Sequence, residues 1–266
     1  MYKKIILPII LIVIFFGVIV FLVGIKESIQ LSINSANNKG NSTVEVADSE
    51  VVDSGNQAAQ HKILMLGDSI GLGSGDEDGL DIGSYYKRIQ TKYDQELIEI
   101  VNLSINGAKV EDLLNQIKRE ETREQIKNSE LIIISIGGND MKTILESSNL
   151  NLFIDYQALA QMYEETIKEI LNSIKKLNPK VQIAMIGLYN PYGEDIPTEK
   201  IQILLNWNHL TRSIIENYKK VAYIETYDLF KYNLKEYLAI DAFHPNALGY
   251  KTISHVLVLV IDGLRE

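Results

Sequence analysis

Apolar positions fall along the chain in three regimes. From Ile5 to Ile25 they run almost unbroken, interrupted by Pro8, Gly17 and Gly24. Such a run matches the roughly 20 residues a helix needs to cross a hydrocarbon core. Between Ser32 and Gln60 the pattern dissolves into Ser, Asn, Asp and Gly with no aromatic residue. That composition buries too little apolar surface to offset the entropy of ordering, so it predicts a flexible tether. From His61 onward short apolar runs alternate with stretches of helical spacing.

That third regime predicts five strands: Lys62–Gly67, Leu97–Ser104, Glu130–Gly137, Val181–Leu188 and Val221–Asp228. Between and after them, helical spacing marks Ile82–Tyr93, Lys109–Ile126, Asp155–Leu177, Glu199–Lys220 and Asn246–Leu264. Asn178-Pro179 closes the third of these helices. Strands that are apolar on both faces require cover on both sides, and a fivefold strand–helix alternation is the signature of a parallel sheet wrapped by helices. In such sheets ligands bind beyond the carboxyl ends of the strands. The chain therefore divides into residues 1–26, a membrane-spanning signal anchor; 27–60, a linker; and 61–266, a folded α/β domain.

Charge and composition narrow the function. Lys3 and Lys4 precede the apolar run, which favours a cytoplasmic N-terminus and an extracytoplasmic domain. The run exceeds a usual signal-peptide core and has no A-x-A-like site, so anchoring is preferred over cleavage and secretion. Abundant Ile, Lys and Asn points to a bacterial cell membrane. With no cysteine, disulfides and thiolate chemistry are excluded. Thirty-five acidic against 26 basic residues argue against nucleic acid as a partner, and against strong adhesion to anionic lipid beyond the anchor.

The candidate chemistry sits at the predicted strand ends. Ile63–Gly79 reads "ILMLGDSIGLGSGDEDG", an apolar strand stopped by Gly67 and followed by Asp68, Ser69 and a glycine-rich loop. It satisfies G-x-S-x-G, a weak match on its own. The phosphate-loop pattern G-x-x-x-x-G-K-[ST] is absent, and Asp76 breaks a G-x-G-x-x-G spacing. A serine nucleophile needs a base, for which histidine suits neutral pH. Of four histidines, His61 borders the tether, while His209 and His255 fall inside predicted helices. His244 lies in "DAFHPNALGY" after the last strand, three residues beyond Asp241. In a turn, that spacing lets the carboxylate meet one ring nitrogen and leaves the other for Ser69. The bland alternative is a capping Asp and a solvated His.

"SIGGND", Ser135–Asp140, offers a close backbone approach and the neutral amide of Asn139, a donor suited to an oxyanion. Gly107 in "NLSINGAKV" has a backbone N–H to present, though a plain turn explains it equally. Asp68, Asp140 and Ser74 are read as loop-holding residues. "GLYNPYGEDIP", Gly187–Pro197, places Tyr189 and Tyr192 where they line a substrate pocket or simply pack.

Together the blocks that carry Ser69, Gly107, Asn139 and His244, from about Ile63 to Tyr250, resemble the SGNH hydrolases, the GDSL lipase/esterase superfamily, in that family's order. Ile70 stands where the family name has leucine. The resemblance implies a three-layer α/β/α sandwich around a five-stranded, flavodoxin-like parallel sheet, and ester hydrolysis without cofactor or metal. It implies Ser69 as nucleophile, His244 as base and Asp241 as the orienting acid. The oxyanion hole would comprise the N–H groups of Ser69 and Gly107 and the amide of Asn139. Two ester classes fit an envelope location, lipid acyl esters and O-acetyl groups on glycans. An O-acyltransferase and a non-catalytic binding domain are the alternatives.

Overall fold

The computed structural model describes residues 61–90, 95–148 and 151–263, all within one compact unit, Asn56–Glu266. The apolar run and the tether lie outside the described residues. Among the described residues, no helix is long and apolar enough to cross a membrane.

Five strands form a wholly parallel sheet: β1 (His61–Gly67), β2 (Ile98–Asn102), β3 (Leu131–Ser135), β4 (Gln182–Ile186) and β5 (Val221–Ile224). Their order is β2-β1-β3-β4-β5, the flavodoxin-like arrangement. Strand residues alternate between two cores. Leu64, Leu66, Ile132, Ile134, Ile183 and Met185 face one side. Ile63, Met65, Leu131, Ile133, Ala184 and Ile186 face the other. This period of two explains the unbroken apolar runs, because neither face meets water.

Helices cover both faces. They are, in chain order, α1 (Ser69–Leu72), α2 (Ile82–Ile89), α3 (Val110–Ile117), α4 (Glu120–Asn128), α5 (Gly138–Leu145) and α6 (Leu152–Leu177). The remainder are α7 (Thr198–Ile215), α8 (Tyr227–Lys231), α9 (Leu234–Tyr237) and α10 (Ala247–Gly263). The first core gathers Val110 and Leu113 of α3, Ile167 and Ile170 of α6, and Trp207 of α7. The second gathers Ile82 and Tyr86 of α2 with Tyr250, Ile253 and Leu257 of α10. Asn178 ends α6 as the Asn-Pro signal predicts, and its amide stitches the helix end to the carbonyls of Ile126 (2.9 Å) and Ser129 (2.8 Å).

Three local readings change. The predicted helix Lys109–Ile126 is two helices, because Arg119 takes an extended backbone (φ −73°, ψ 140°), and Glu120 and Glu121 open a new helix with acids in its first turn. The fifth strand stops at Ile224, and Tyr227 begins the short helix α8. The third strand stops at Ser135 rather than Gly137, and α5 starts at Gly138 and carries Asn139 and Asp140 in its first turn.

Candidate active site

The end of β1 is shaped by one close approach. Gly67 has φ +130°, and a Cβ there would lie 1.8 Å from the Ser135 carbonyl oxygen at the end of β3. Only glycine fits that crossing. It lets the Asp68 N–H donate to the same carbonyl (2.8 Å) and sets Ser69 as the first residue of α1. The Asp68 carboxylate caps this helix by accepting from the Ile70 N–H (3.0 Å), and it also accepts from the Ser135 hydroxyl (2.9 Å). The Ser69 N–H, at the helix start, has no intrahelical acceptor.

The loop before α10 brings the base. Its ends are tied by Ala239 N–H to the His244 carbonyl (2.8 Å) and by a bridge between Leu238 and Pro245. Inside it, Ala242 adopts φ 54°, which turns the chain back on itself. One oxygen of Asp241 accepts from the backbone N–H groups of Phe243 and His244, each at 3.0 Å. The other lies 2.6 Å from His244 Nδ1, and His244 Nε2 lies 2.9 Å from Ser69 Oγ. Burial pushes the Asp241 carboxyl up, but the ring and backbone donors of His244 and the Phe243 N–H outweigh it. The net position is below the usual carboxylate range. A carboxylate ionised in this way holds the Nδ1–H and presents Nε2 as an acceptor to the serine.

Gly75 shows what the glycine-rich loop accommodates. A Cβ there would sit 2.7 Å from both His244 Cβ and the Pro245 carbonyl oxygen. The loop therefore leaves room for the histidine segment.

Asn139 projects from α5, and its amide donates to the Ala108 carbonyl (3.0 Å) just beyond Gly107. An amide nitrogen carries two hydrogens, so this bond fixes the side chain and leaves one donor over. Gly107 occupies an exposed turn at φ +77°, closed by Ala108 N–H to the Ile105 carbonyl (3.1 Å). Gly107 immediately precedes Ala108, whose carbonyl holds the Asn139 amide, so its turn is linked to Asn139.

The cleft that holds Ser69 and Asn139 is walled by Met141, Leu145, Leu188, Leu204, Tyr192 and Phe243. Tyr189 lines it as well. Its hydroxyl donates to the Phe243 carbonyl (2.6 Å) and its ring stacks on Phe230 at 4.2 Å. The Tyr192 hydroxyl donates to Glu146 (3.0 Å). Lys142 lies 5.1 Å above the Phe243 ring and 3.7 Å from Glu146.

The family profile of the GDSL-like Lipase/Acylhydrolase family matches residues 65–252, most of the chain. The chain belongs to that family. It is accordingly an ester-hydrolysing enzyme. Two curated relatives are each 28% identical. One is the Uncharacterized protein YpmR of Bacillus subtilis, aligned over 198 residues, 72% of this chain and 78% of the relative. The other is the Spore germination lipase LipC of Bacillus licheniformis, aligned over 205 residues, 72% of this chain and 92% of the relative. In fold the domain is similar to the lipase Lip_vut3 from a goat rumen metagenome. That likeness has a TM-score of 0.66 at 23% identity, covering 74% of this chain and 95% of that one.

The remaining candidates of the family domain take loop-holding places. Asp68 and Asp140 do not touch His244; the Asp140 carboxylate accepts from the Val110 N–H (3.1 Å) and so ties α5 to α3. Burial pushes both carboxyls up to about 6. Ser74 follows α1, and its carbonyl accepts from the Tyr250 hydroxyl (2.7 Å). His61 pairs with Glu130 (2.9 Å) at the opposite end of the sheet, while His209 and His255 are exposed on α7 and α10. The cleft residues Met141, Lys142, Leu145, Leu204 and Phe243 escaped the sequence reading. Phe243 alone carried a signal, its place between Asp241 and His244.

Proposed function

We propose that this enzyme is a serine esterase in which Ser69, His244 and Asp241 act as the catalytic triad. The observation that carries this reading is the continuous chain of contacts from Asp241 through His244 to Ser69, at 2.6 and 2.9 Å. Ser69 Oγ attacks the ester carbonyl carbon while His244 Nε2 takes its proton. The imidazolium that forms is stabilised by the Asp241 carboxylate. Negative charge on the carbonyl oxygen is met by the N–H groups of Ser69 and Gly107 and the spare donor of Asn139. Collapse of the tetrahedral species expels the alcohol, which receives the proton from His244. Water, activated by the same ring, then releases the acid.

Between the two substrate classes, the cleft favours esters with an acyl chain of several carbons over O-acetyl groups. Its wall of Met141, Leu145, Leu188 and Leu204 offers apolar surface that an acetyl group would leave unfilled. Residues 1–60 are read as a signal anchor and tether that hold the 61–266 domain outside a bacterial membrane.

The test is steady-state hydrolysis of p-nitrophenyl esters from acetyl to dodecanoyl. Ser69→Ala and His244→Ala each lower kcat by about 10⁴-fold or more, with the fold intact. In the unsubstituted enzyme, kcat/KM rises with chain length before levelling off. Unchanged rates in both variants overturn the triad, and a maximum at acetyl overturns the acyl cleft.

A further inference from the structure

Lysines gather at one end of the described domain. At the amino ends of β4 and β5 stand Lys175 and Lys176 in the last turn of α6, Lys180 just before β4, and Lys219 and Lys220 just before β5. The two strands are neighbours, with Ile183 paired to Val221, and the Ile183 N–H donates to the Lys220 carbonyl (2.9 Å). The Lys175 ammonium donates to the Val181 carbonyl (2.7 Å), and burial together with the nearby Lys220 charge holds Lys175 below the usual lysine range. These five residues form one group. Among the described residues, none of the five takes part in an ion pair, whereas Lys62, Lys118, Lys127 and Lys168 all do. Acids stand near them as well: Glu216 lies beyond the end of α7, Glu165 and Glu169 share a surface depression with Lys176, and Glu130 just before β3 is engaged by His61.

Helix-end electrostatics explains Lys175 and Lys176, which lie where a cation complements the helix C-terminus. It does not explain Lys180, Lys219 and Lys220, which lie outside both helices.

The carboxyl end of the sheet is the reverse. Exposed Glu77, Asp78, Glu194, Asp195, Glu236 and Asp241 surround the cleft. Lys142 there is paired with Glu146, and Lys200 is bound to the carbonyls of Leu145 and Ser147. Lys231 and Lys235 stand on α8 and α9, fewer than the acids. A formal net charge of −9 thus hides a lysine group at one end of the domain and an acid-rich rim at the other.

We propose that the lysine pole is a docking surface for anionic lipid headgroups, and that it turns the catalytic cleft away from the bilayer to which the chain is anchored. The occupant is argued from charge and from where the chain leads. His61 opens β1 at the same end of the sheet as the lysines. Upstream, the linker 27–60 leads directly to the apolar run Ile5–Ile25. Fully extended, a linker of that length reaches on the order of 100 Å. A domain of this size has a radius of gyration of about 16 Å, so the tether alone permits either orientation. Juxtamembrane lysines are drawn to an anionic leaflet and acids are repelled, with a range set by the Debye length. The poles therefore choose: lysines inward, cleft outward, with substrate arriving from the aqueous side. This inference rests on the anchor reading of residues 1–26 and is independent of the triad assignment.

The absence of cysteine makes single-cysteine reporters unambiguous. Asn172→Cys places a fluorophore on the exposed face of α6 one turn before Lys176, and Asp78→Cys places one at the cleft rim. The full chain is reconstituted in phosphatidylcholine vesicles with or without phosphatidylglycerol, each carrying a headgroup nitroxide quencher. With phosphatidylglycerol, quenching at Asn172→Cys exceeds that at Asp78→Cys by roughly threefold or more. Raising salt to about 0.5 M removes the difference. Lys176→Gln/Lys180→Glu/Lys219→Glu removes it at low salt while hydrolysis of a soluble short ester stays unchanged. Quenching that ignores phosphatidylglycerol, salt and the triple variant overturns the proposal. So does stronger quenching at Asp78→Cys, which would put the exposed Leu72, Ile240 and Leu248 on the bilayer instead, and so does a chain that fails to enter neutral vesicles.

Discussion

Asp68 stands beside the nucleophile, is 2% exposed, and has its carboxyl raised by burial from the ordinary 3.8 to about 6. The unfolded chain releases this proton near pH 4, whereas the folded one keeps it until about pH 6. Between those values the folded state binds more protons, so its stability falls as pH rises; above about 6 both states are ionised and the loss levels off. The gap between 3.8 and about 6, at 1.36 kcal/mol per pH unit, makes the loss about 3 kcal/mol. Asp68→Asn removes the proton and the pH dependence together. The asparagine oxygen still accepts from the Ile70 N–H and the Ser135 hydroxyl. Its new N–H donors have no evident acceptor, so below pH 4 the variant is the less stable protein by about 1–3 kcal/mol.

The readout is the difference in unfolding free energy between the two proteins. Urea unfolding, followed by the single tryptophan, Trp207, buried beside Tyr163, is measured from pH 4 to pH 7. That difference moves in favour of Asp68→Asn by about 2 kcal/mol across the interval, most of the full loss. A difference that stays flat, or moves the other way, refutes the argument that desolvation governs this carboxylate.

Two further substitutions probe the site. Asn139→Ala removes the amide donor and, with it, the bond to the Ala108 carbonyl; kcat falls about 10²- to 10³-fold with KM little changed. A rise in KM with kcat unchanged contradicts an oxyanion role. Tyr189→Phe keeps the ring stacked on Phe230 but deletes the bond to the Phe243 carbonyl. A loss of about 1.4 kcal/mol in positioning the His244 loop lowers kcat about tenfold. A raised KM with unchanged kcat would reduce Tyr189 to a cleft wall.

The parts of the site that were legible in the sequence are those where chemistry or backbone geometry dictates residue type. Gly67 is forced by the Ser135 carbonyl, Asp241 and His244 by a spacing that a turn closes, and Asn139 by its place after a strand end. A parallel sheet wrapped by helices followed from the alternation because apolar runs covered on both faces admit few alternatives, while the flavodoxin-like arrangement was implied by the family resemblance. What stayed hidden depends on rotation and reach. Met141, Leu145 and Leu204 carry ordinary helical spacing, and nothing local tells which apolar residues of a helix face a cleft and which face the core. The break at Arg119 is a matter of one residue's backbone, invisible to a periodicity that continues across it. Pole separation is hidden for a similar reason: Lys176, Lys180 and Lys219 join only when β4 and β5 pair. A net charge cannot report it.

Ser69 as nucleophile can be tested covalently. The direct measurement is intact-mass spectrometry of the enzyme after reaction with an alkyl fluorophosphonate, followed by peptide mapping. One phosphonyl adduct forms, located on Ser69, absent from Ser69→Ala and formed far more slowly in His244→Ala. An adduct on Ser74 or Ser135, or equal labelling of the Ser69→Ala variant, would contradict that role.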